Sequence, residues 1–192
     1  MAEEYLDEMI LKARKEKKKE KLNRYIRQQY ATVDELFQKI SIGNVAEIKI
    51  PVNLFPMPES VIDKKYQFDP QPQIVMTNRK GDVNFTFSEL EVSVSEKEMP
   101  SCIEGCIEGL RGYMPSLVFY EKGQEYIQDL MVCWFTYMSN SLDGRKIYNF
   151  MLYAATEKTI VMTMNCRYEQ HEKWDAIARV CMQSLTGKVC NG

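Results

Sequence analysis

β-Branched and aromatic residues recur along residues 147–155 and again along residues 159–168, with side chains expected to point alternately to two faces. Alternation with a period of two places successive side chains on opposite faces of a β-strand. Because only the short polar break at Glu157 and Lys158 separates the two runs, we expect them to pair as an antiparallel hairpin. The second strand then has an apolar face of Ile160, Met162, Met164 and Cys166, and a mixed face of Thr159, Val161, Thr163, Asn165 and Arg167.

After residue 168 the spacing of the apolar residues changes from two to three or four. This helical stripe consists of Trp174, Ile177, Ala178, Cys181 and Leu185. Glu169 and Glu172 fall in the first turn, where the helix dipole favours negative charge, and Gly187 stands where a C-terminal cap is expected. We therefore predict an amphipathic helix that covers the apolar face of the preceding hairpin.

The same patterns predict the elements upstream of this hairpin. Strands are expected at residues 47–52, 73–78, 83–88, 116–120 and 128–138, with a continuation of the fourth after Gly123 left open. Gly81 and Asp82 form the turn of a further hairpin. A helix over residues 95–113 starts either at a capping box of Ser95 and Glu98 or with Pro100 in its first turn. The fold class is α+β, with an antiparallel sheet of about six or seven strands flanked by helices.

The N-terminal part has a different character. Residues 2–30 contain no Gly or Pro and predict one long helix. Residues 32–40 predict a second, shorter helix, in which Thr32 and Glu35 form a capping box. Gly43 and Asn44 break the pattern. We therefore divide the chain into a basic helical extension, residues 1–44, and a sandwich domain, residues 45–192.

Charge is strongly segregated along the chain. Residues 12–27 carry a net charge of +7, while the whole chain carries -2. One interpretation is a solvated helix with intrahelical ion pairs; the other is a binding patch for an acidic protein, anionic lipid or nucleic acid. Nucleic acid is disfavoured because Tyr25 is the only aromatic residue in this run and no binding module is recognised elsewhere. The candidate patch consists of Lys12, Arg14, Lys15, Lys17, Lys18, Lys19, Lys21, Arg24 and Arg27.

Composition indicates an ordinary soluble protein. The 192 residues are 45% hydrophobic and 27% charged. The longest apolar run, residues 130–135, is far shorter than the roughly 20 residues that cross a bilayer, and the N-terminus shows no signal core. We expect a cytoplasmic protein whose six cysteines behave mainly as buried free thiols.

The search for reactive groups predicts no catalytic, cofactor-binding or metal-binding residue. His171 is the only histidine and is expected to face water in the first turn of the last helix. Cys102 and Cys106 lack the second pair that a structural zinc site needs, and Asp143 belongs to a turn with Gly144. Methionines on strands are either core or the lining of an adaptable groove for an apolar peptide: Met131, Met138, Met151, Met162 and Met164.

The chain resembles the PsbP-like α/β/α sandwich proteins, most closely their bacterial uncharacterised or adaptor-type branch. The resemblance rests on the element order from residue 47 (strand, hairpin, helix, four-strand meander, helix) and on three motifs. These are residues 72–78 before the Gly81-Asp82 turn, Asp143-Gly144 before residues 147–149, and Asn165-Cys166 ahead of Trp174. The resemblance implies binding roles without common catalytic residues: a photosystem subunit, a binder of a small GTPase, or an adaptor chaperone for secreted toxins.

Three functional hypotheses follow. The first is a non-enzymatic interaction or adaptor protein whose partner is another protein, with an acidic or apolar segment at the contact. The alternatives are a small enzyme that uses carboxylates and tyrosines, and a membrane-surface or nucleic-acid binder that acts through the basic extension. The sequence also leaves open whether the chain forms a homo-oligomer through the N-terminal helix.

Overall fold

The computed structural model of the chain describes residues 36–67, 69–141 and 143–187. Its contacts divide the chain into two units, Met1–Gln38 and Lys39–Gly192. The long helix predicted over residues 2–30, with its basic patch, lies outside the described residues, and the domain boundary at residue 44 stays a prediction. Among the helices of the described ranges, none is long and apolar enough to cross a membrane.

The described elements follow one another as strands with three interspersed α-helices and one 3-10 turn, Tyr168–Gln170. The strands are β1 (Phe37–Ile42), β2 (Ala46–Pro51), β3 (Phe55–Pro56), β4 (Ile74–Thr77), β5 (Val83–Glu89), β6 (Val118–Ile127), β7 (Leu130–Asn140), β8 (Lys146–Ala154), β9 (Ile160–Arg167) and β10 (Thr186–Gly187). The helices are α1 (Glu59–Lys65), α2 (Met99–Tyr113) and α3 (His171–Gln183).

A seven-stranded antiparallel sheet forms the centre, in the order β3-β4-β5-β9-β8-β7-β6. The predicted hairpins β4-β5 and β8-β9 are both present. Gly81 lies in the turn of the first with φ +71°, which suits glycine. The strands β1, β2 and β10 form a second, smaller sheet in the order β1-β2-β10.

One helix covers each face of the large sheet. On one face, α3 packs on β8 and β9 through its predicted stripe, which is buried. Ile160, Met162, Met164 and Cys166 are buried on β9, as expected for its apolar face. On the other face, Ile103 and Ile107 of α2 join a core cluster with residues of β7 and β8: Met131, Cys133, Phe135, Tyr137 and Tyr153. The predicted α+β architecture with a helix on either side of an antiparallel sheet is confirmed.

The helix predicted over residues 32–40 is wrong from residue 37 onward, because β1 begins at Phe37. Ile42 is fully buried while Lys39 and Ser41 are exposed, which is a strand pattern. Lys39 also forms an ion pair across the small sheet with Glu47 of β2, at 2.7 Å between Nζ and Oε2. Pairing with β2 outweighs the local capping signal, since helix propensity is a weak preference that tertiary context overrides.

The C-terminal cap predicted at Gly187 is also wrong. The helix ends earlier, with Ser184 as its cap residue. Gly187 lies in β10 and pairs with Ala46. A Cβ at this position would lie 3.0 Å from the carbonyl oxygen of Val45 and 2.9 Å from a methyl of Thr156. Glycine is therefore suited to this position because two pieces of backbone approach each other closely.

The sequence left two possible starts for helix α2, and the structure shows which of them is used. The helix begins at Met99 with Pro100 in its first turn, where a missing N–H is tolerated. Ser95 still donates a hydrogen bond to Glu98, at 2.6 Å between Oγ and Oε2, but in the turn before the helix. The helix α1, by contrast, has no buried residue. Its sequence therefore lacks the apolar stripe from which an amphipathic helix is predicted, and α1 was not predicted.

Candidate functional site at the sheet edge

The two edges of the seven-stranded sheet differ greatly in length. At one edge, β3 has only two residues, and one of them is Pro56. At the other, β6 has ten residues and, in the described ranges, no strand pairs with its outer side. An edge strand presents unpaired backbone N–H and C=O groups to any extended chain that approaches it. The outer side of β6 is therefore the candidate site.

Large hydrophobic side chains are exposed along this edge. Val118 is 44%, Tyr120 45% and Tyr126 58% exposed. Each of them packs only part of its surface on the protein, which leaves apolar area for a contact. A single exposed hydrophobic side chain is common on protein surfaces, but three along one edge strand give apolar contact area on both sides of that edge.

A β-bulge divides β6 into two parts. Between the pairs Phe119–Tyr137 and Lys122–Phe135, two residues of β6 face the single residue Thr136 of β7. The Thr136 hydroxyl accepts a hydrogen bond from the backbone N–H of Glu121, at 3.2 Å. A buried side chain thus satisfies a backbone group that the bulge removes from the ladder. Lys122 to Ile127 then form an uninterrupted six-residue run beside β7.

The bulge directs Glu121 toward α3, where it joins a charged network. Arg179 donates from Nη2 to Glu121 Oε2 at 3.1 Å and from Nε to Asp175 Oδ2 at 2.9 Å. The hydroxyl of Tyr148 donates to Asp175 Oδ1 at 2.7 Å. Burial and the nearby Asp175 carboxylate raise the pKa of Tyr148, so its phenol stays protonated and keeps donating. The guanidinium also lies 4.0 Å from the centroid of the Trp134 ring. This network anchors the edge strand to α3.

The bulge directs Tyr120 toward the same helix. Its ring centroid lies 6.4 Å from that of Tyr148 and 6.3 Å from that of Tyr168. Partial burial and the hydrogen bond with the Tyr168 hydroxyl raise the pKa of Tyr120 to about 12. His171 stacks on Tyr168 at 4.5 Å, and its Nδ1 donates to the Tyr168 carbonyl oxygen at 2.7 Å. The expectation that His171 faces water is therefore wrong, because its ring is half-buried against tyrosines.

On the α2 side, the regular run of β6 contacts acidic residues. Lys122 forms an ion pair with Glu104 of α2. Tyr126 donates from its hydroxyl to Glu96 Oε2 at 3.2 Å. On the α3 side, Glu125 accepts a hydrogen bond from Gln183 at 2.9 Å. Within the described ranges, no cation is paired with Glu96 or Glu125.

Among the described residues, none of the other candidate residues belongs to this site. The nine basic residues of the predicted patch lie outside the described ranges. Cys102 and Cys106 are half-buried free thiols on α2, and Asp143 forms an ion pair with Arg145 in its turn. Met131, Met162 and Met164 are buried and Met138 and Met151 half-buried, so the strand methionines belong mainly to the core. In the described ranges, no three ligand-type side chains form a group that could hold a metal ion.

Comparison with known proteins concerns the fold. No protein-family model and no curated protein matches the sequence. Cyanobacterial PsbP from Synechocystis sp. PCC 6803 matches the structure with a TM-score of 0.52 at 10% identity, over 79% of this chain and 92% of that one. The fold is PsbP-like. LpqN, involved in cell envelope biogenesis of Mycobacterium tuberculosis, has a TM-score of 0.51 at 12% identity, over 84% of this chain and 94% of that one.

The structure also matches Mog1p, the Ran-binding protein of Saccharomyces cerevisiae, but less well. Its TM-score is 0.46 at 10% identity, over 80% of this chain and 96% of that one. The resemblance inferred from the order of elements is confirmed at the level of fold by the cyanobacterial PsbP and LpqN structures. Fold alone does not assign a function, because function lies in the site and its side chains.

Sequence reasoning missed the edge site of this PsbP-like fold. The strand prediction ended at residue 120 and left its continuation open at Gly123, although β6 runs through both positions to Ile127. In the structure Gln124 and Tyr126 are exposed, Glu125 is half-buried and Ile127 is buried. Gln124 and Glu125 are both polar, however, so the sequence itself carries no alternation that would have predicted the strand there. Identifying them as an edge required the strand order, which the sequence alone did not supply.

Proposed function

We propose that this protein is a non-enzymatic interaction or adaptor protein that binds an extended segment of a partner protein along the outer side of β6. The observation that carries the proposal is the long, exposed edge strand at one end of the sheet. An added strand gains main-chain hydrogen bonds, and its alternate side chains contact the two sides of the edge. The partner is then recognised in part through its backbone.

The length and shape of the edge define where the partner binds. Bulges and charged residues protect edges against pairing, and β6 has a bulge at Tyr120 and Glu121. The run from Lys122 to Ile127 is regular, and the charge of Lys122 is neutralised by Glu104. We therefore assign the partner segment to this run, with Tyr126 as its main side-chain contact.

The cysteines support an intracellular setting for this role. The five described cysteines are free, and Cys133, Cys166 and Cys181 are buried. Free thiols persist where the compartment is reducing. The adaptor is accordingly proposed to act in the cytoplasm.

The test uses three capped ten-residue peptides, in which threonine alternates with lysine, glutamine or glutamate, added to the full chain. Strand addition protects outward backbone N–H groups of β6, so hydrogen exchange should slow within residues 122–127 for at least one peptide. Exchange in β4 and α3 should be unchanged, which distinguishes strand addition from general stabilisation. If none of the peptides slows exchange in β6 at millimolar concentration, the proposal is overturned.

A pair of matched variants tests the role of the side chain. Tyr126→Ser removes the exposed ring at the proposed contact, whereas Tyr113→Ser removes a ring that is 74% exposed at the end of α2. Cross-strand aromatic contacts contribute about 0.2–1 kcal/mol, which corresponds to a loss of affinity of about 1.4- to fivefold. Only Tyr126→Ser should show this loss. Equal effects of the two variants would contradict the assigned position.

A further inference from the structure

We infer that the segment bound along β6 is basic, with lysine or arginine at alternate positions. This inference rests on the proposed function and specifies the chemistry of the partner. The first observation is the charge of the surface that flanks the edge. Residues 96–129, which span α2, β6 and the turn that follows, contain seven acidic and three basic side chains, a net charge of -4.

The acidic side chains lie on both sides of the edge. Glu96 lies beside Tyr126 on the α2 side, as its hydrogen bond to the tyrosine hydroxyl shows. Glu125 lies on the α3 side, beside Gln183. Since side chains of an added strand alternate between the two sides, consecutive residues of the partner meet one carboxylate and then the other. Lysine or arginine side chains on the α2 side of the added strand therefore lie near Glu96, and those on the α3 side lie near Glu125.

Neither of these two carboxylates has its charge neutralised by a cation in the described ranges. Glu96 accepts from a phenol and Glu125 from an amide, both of which are neutral donors. By contrast, Glu104 is already paired with Lys122. An approaching ammonium or guanidinium would thus form new ion pairs at Glu96 and Glu125 rather than compete with existing ones.

Charge also distinguishes this partner from a second copy of the chain. Antiparallel pairing of β6 with its own copy would bring two surfaces of the same negative charge together. Like charges placed opposite each other across strands are destabilising. A basic segment is attracted to the same surface, and its association should be faster and more dependent on salt.

The test compares the three alternating peptides by fluorescence anisotropy against the full chain, at 50 mM and 300 mM salt. We expect the lysine peptide to bind at least about tenfold more tightly than the glutamate peptide at low salt, with most of the difference lost at high salt. Because the alternate residues of an added strand all lie on one side of the edge, the lysines meet either Glu96 or Glu125. The glutamine variant on that side, Glu96→Gln or Glu125→Gln, should weaken the lysine peptide about 1.4- to fivefold, and the other variant should have little effect. Glu59→Gln on α1, an exposed carboxylate away from β6, is the matched control and should change nothing.

The outcomes separate this inference from the proposed function. Equal binding of the three peptides, with protection of β6 in each case, overturns the basic partner and leaves strand addition standing. Absence of binding by all three overturns both. Concentration-dependent protection of β6 without any peptide, with a dimer in analytical ultracentrifugation, identifies a second copy as the occupant and also overturns the inference. Tighter lysine binding that one of the two glutamine variants weakens supports it.

Discussion

Adding a single methyl group at Gly123 should destabilise the protein through contact with one tryptophan ring. Gly123 lies opposite Trp134 in the β6-β7 ladder. A Cβ built at Gly123 lies 2.6 Å from Cζ2 and 2.8 Å from Cε2 of that ring. Carbon atoms in contact are normally about 3.5–4.0 Å apart, so the ring or the strand would have to move.

The ring has little room to move. It is stacked on Phe150, at 5.7 Å between centroids and an interplanar angle of 11°. Arg179, held by Asp175, lies on it at 4.0 Å. Inserting a methyl group into such packing costs about 1–3 kcal/mol, while replacing glycine by alanine in a strand returns about 0.5–1 kcal/mol. The difference is a net cost of about 0–2.5 kcal/mol, centred near 1 kcal/mol. We therefore expect Gly123→Ala to lower the free energy of unfolding by about 1 kcal/mol, or Tm by about 2–4 °C for a chain of this length.

Gly109→Ala is the matched control, because the same chemical change there meets open space. Gly109 lies within α2, and a Cβ added to it would have no neighbouring atom within 4 Å. Alanine should stabilise this helix by about 0.5–1 kcal/mol. Urea unfolding and thermal unfolding of both variants would measure the two changes.

The opposite signs are the essential result. If Gly123→Ala stabilises the protein as Gly109→Ala does, Trp134 does not lie against Gly123 and the reasoning is refuted. A double variant gives a direct check. In a Trp134→Leu background, Gly123→Ala should lose most of its cost, because contacting residues do not contribute additively.

Three further predictions concern the network around β6 and the core. Arg179→Met removes the cation from the largely buried Asp175 and should lower the free energy of unfolding in urea by about 1.5–3 kcal/mol; no loss would show that the ion pair contributes nothing. Thr136→Val, at the buried hydroxyl that bonds the bulge, should cost about 1 kcal/mol and speed hydrogen exchange of the Glu121 amide, whereas unchanged exchange would contradict its role. Burial raises the pKa of Tyr137 to about 12, while an unfolded tyrosine ionises near 10. The stabilisation that neutral Tyr137 contributes is complete below about pH 10 and is lost as the pH rises through about 12. Between pH 8 and pH 11, the free energy of unfolding in urea should therefore fall less for Tyr137→Phe than for the parent protein.

The fold was largely predictable because its central elements carry strong local patterns. The β8-β9 hairpin, the β4-β5 hairpin and α3 each combine a clear period with a turn or charge signal. Local propensity and tertiary packing favour the same structure in these segments. Secondary structure is predicted reliably from sequence where the two agree. Even the weak helix α2, with its three glycines, was recognisable from its apolar stripe.

Segments whose structure depends on distant partners were predicted poorly. The first strand carries a capping signal in its sequence, yet it pairs with β2. Gly187 looks like a helix cap, but it is required by the approach of residues 45 and 156, far away in the chain. In both cases the deciding contact is remote, so no local pattern contains it.

The edge site depends on a one-residue shift that a period of two cannot represent. By strict alternation, Tyr120 and Tyr126 would project from the same side of β6. The bulge at Tyr120 and Glu121 moves the two parts of the strand out of phase. Tyr120 consequently packs on Tyr148 on the α3 side, while Tyr126 reaches Glu96 on the α2 side. The same shift places Glu121 on Arg179 and leaves the following six residues as a regular edge, so the anchoring of β6 and its accessibility to a partner have one structural cause.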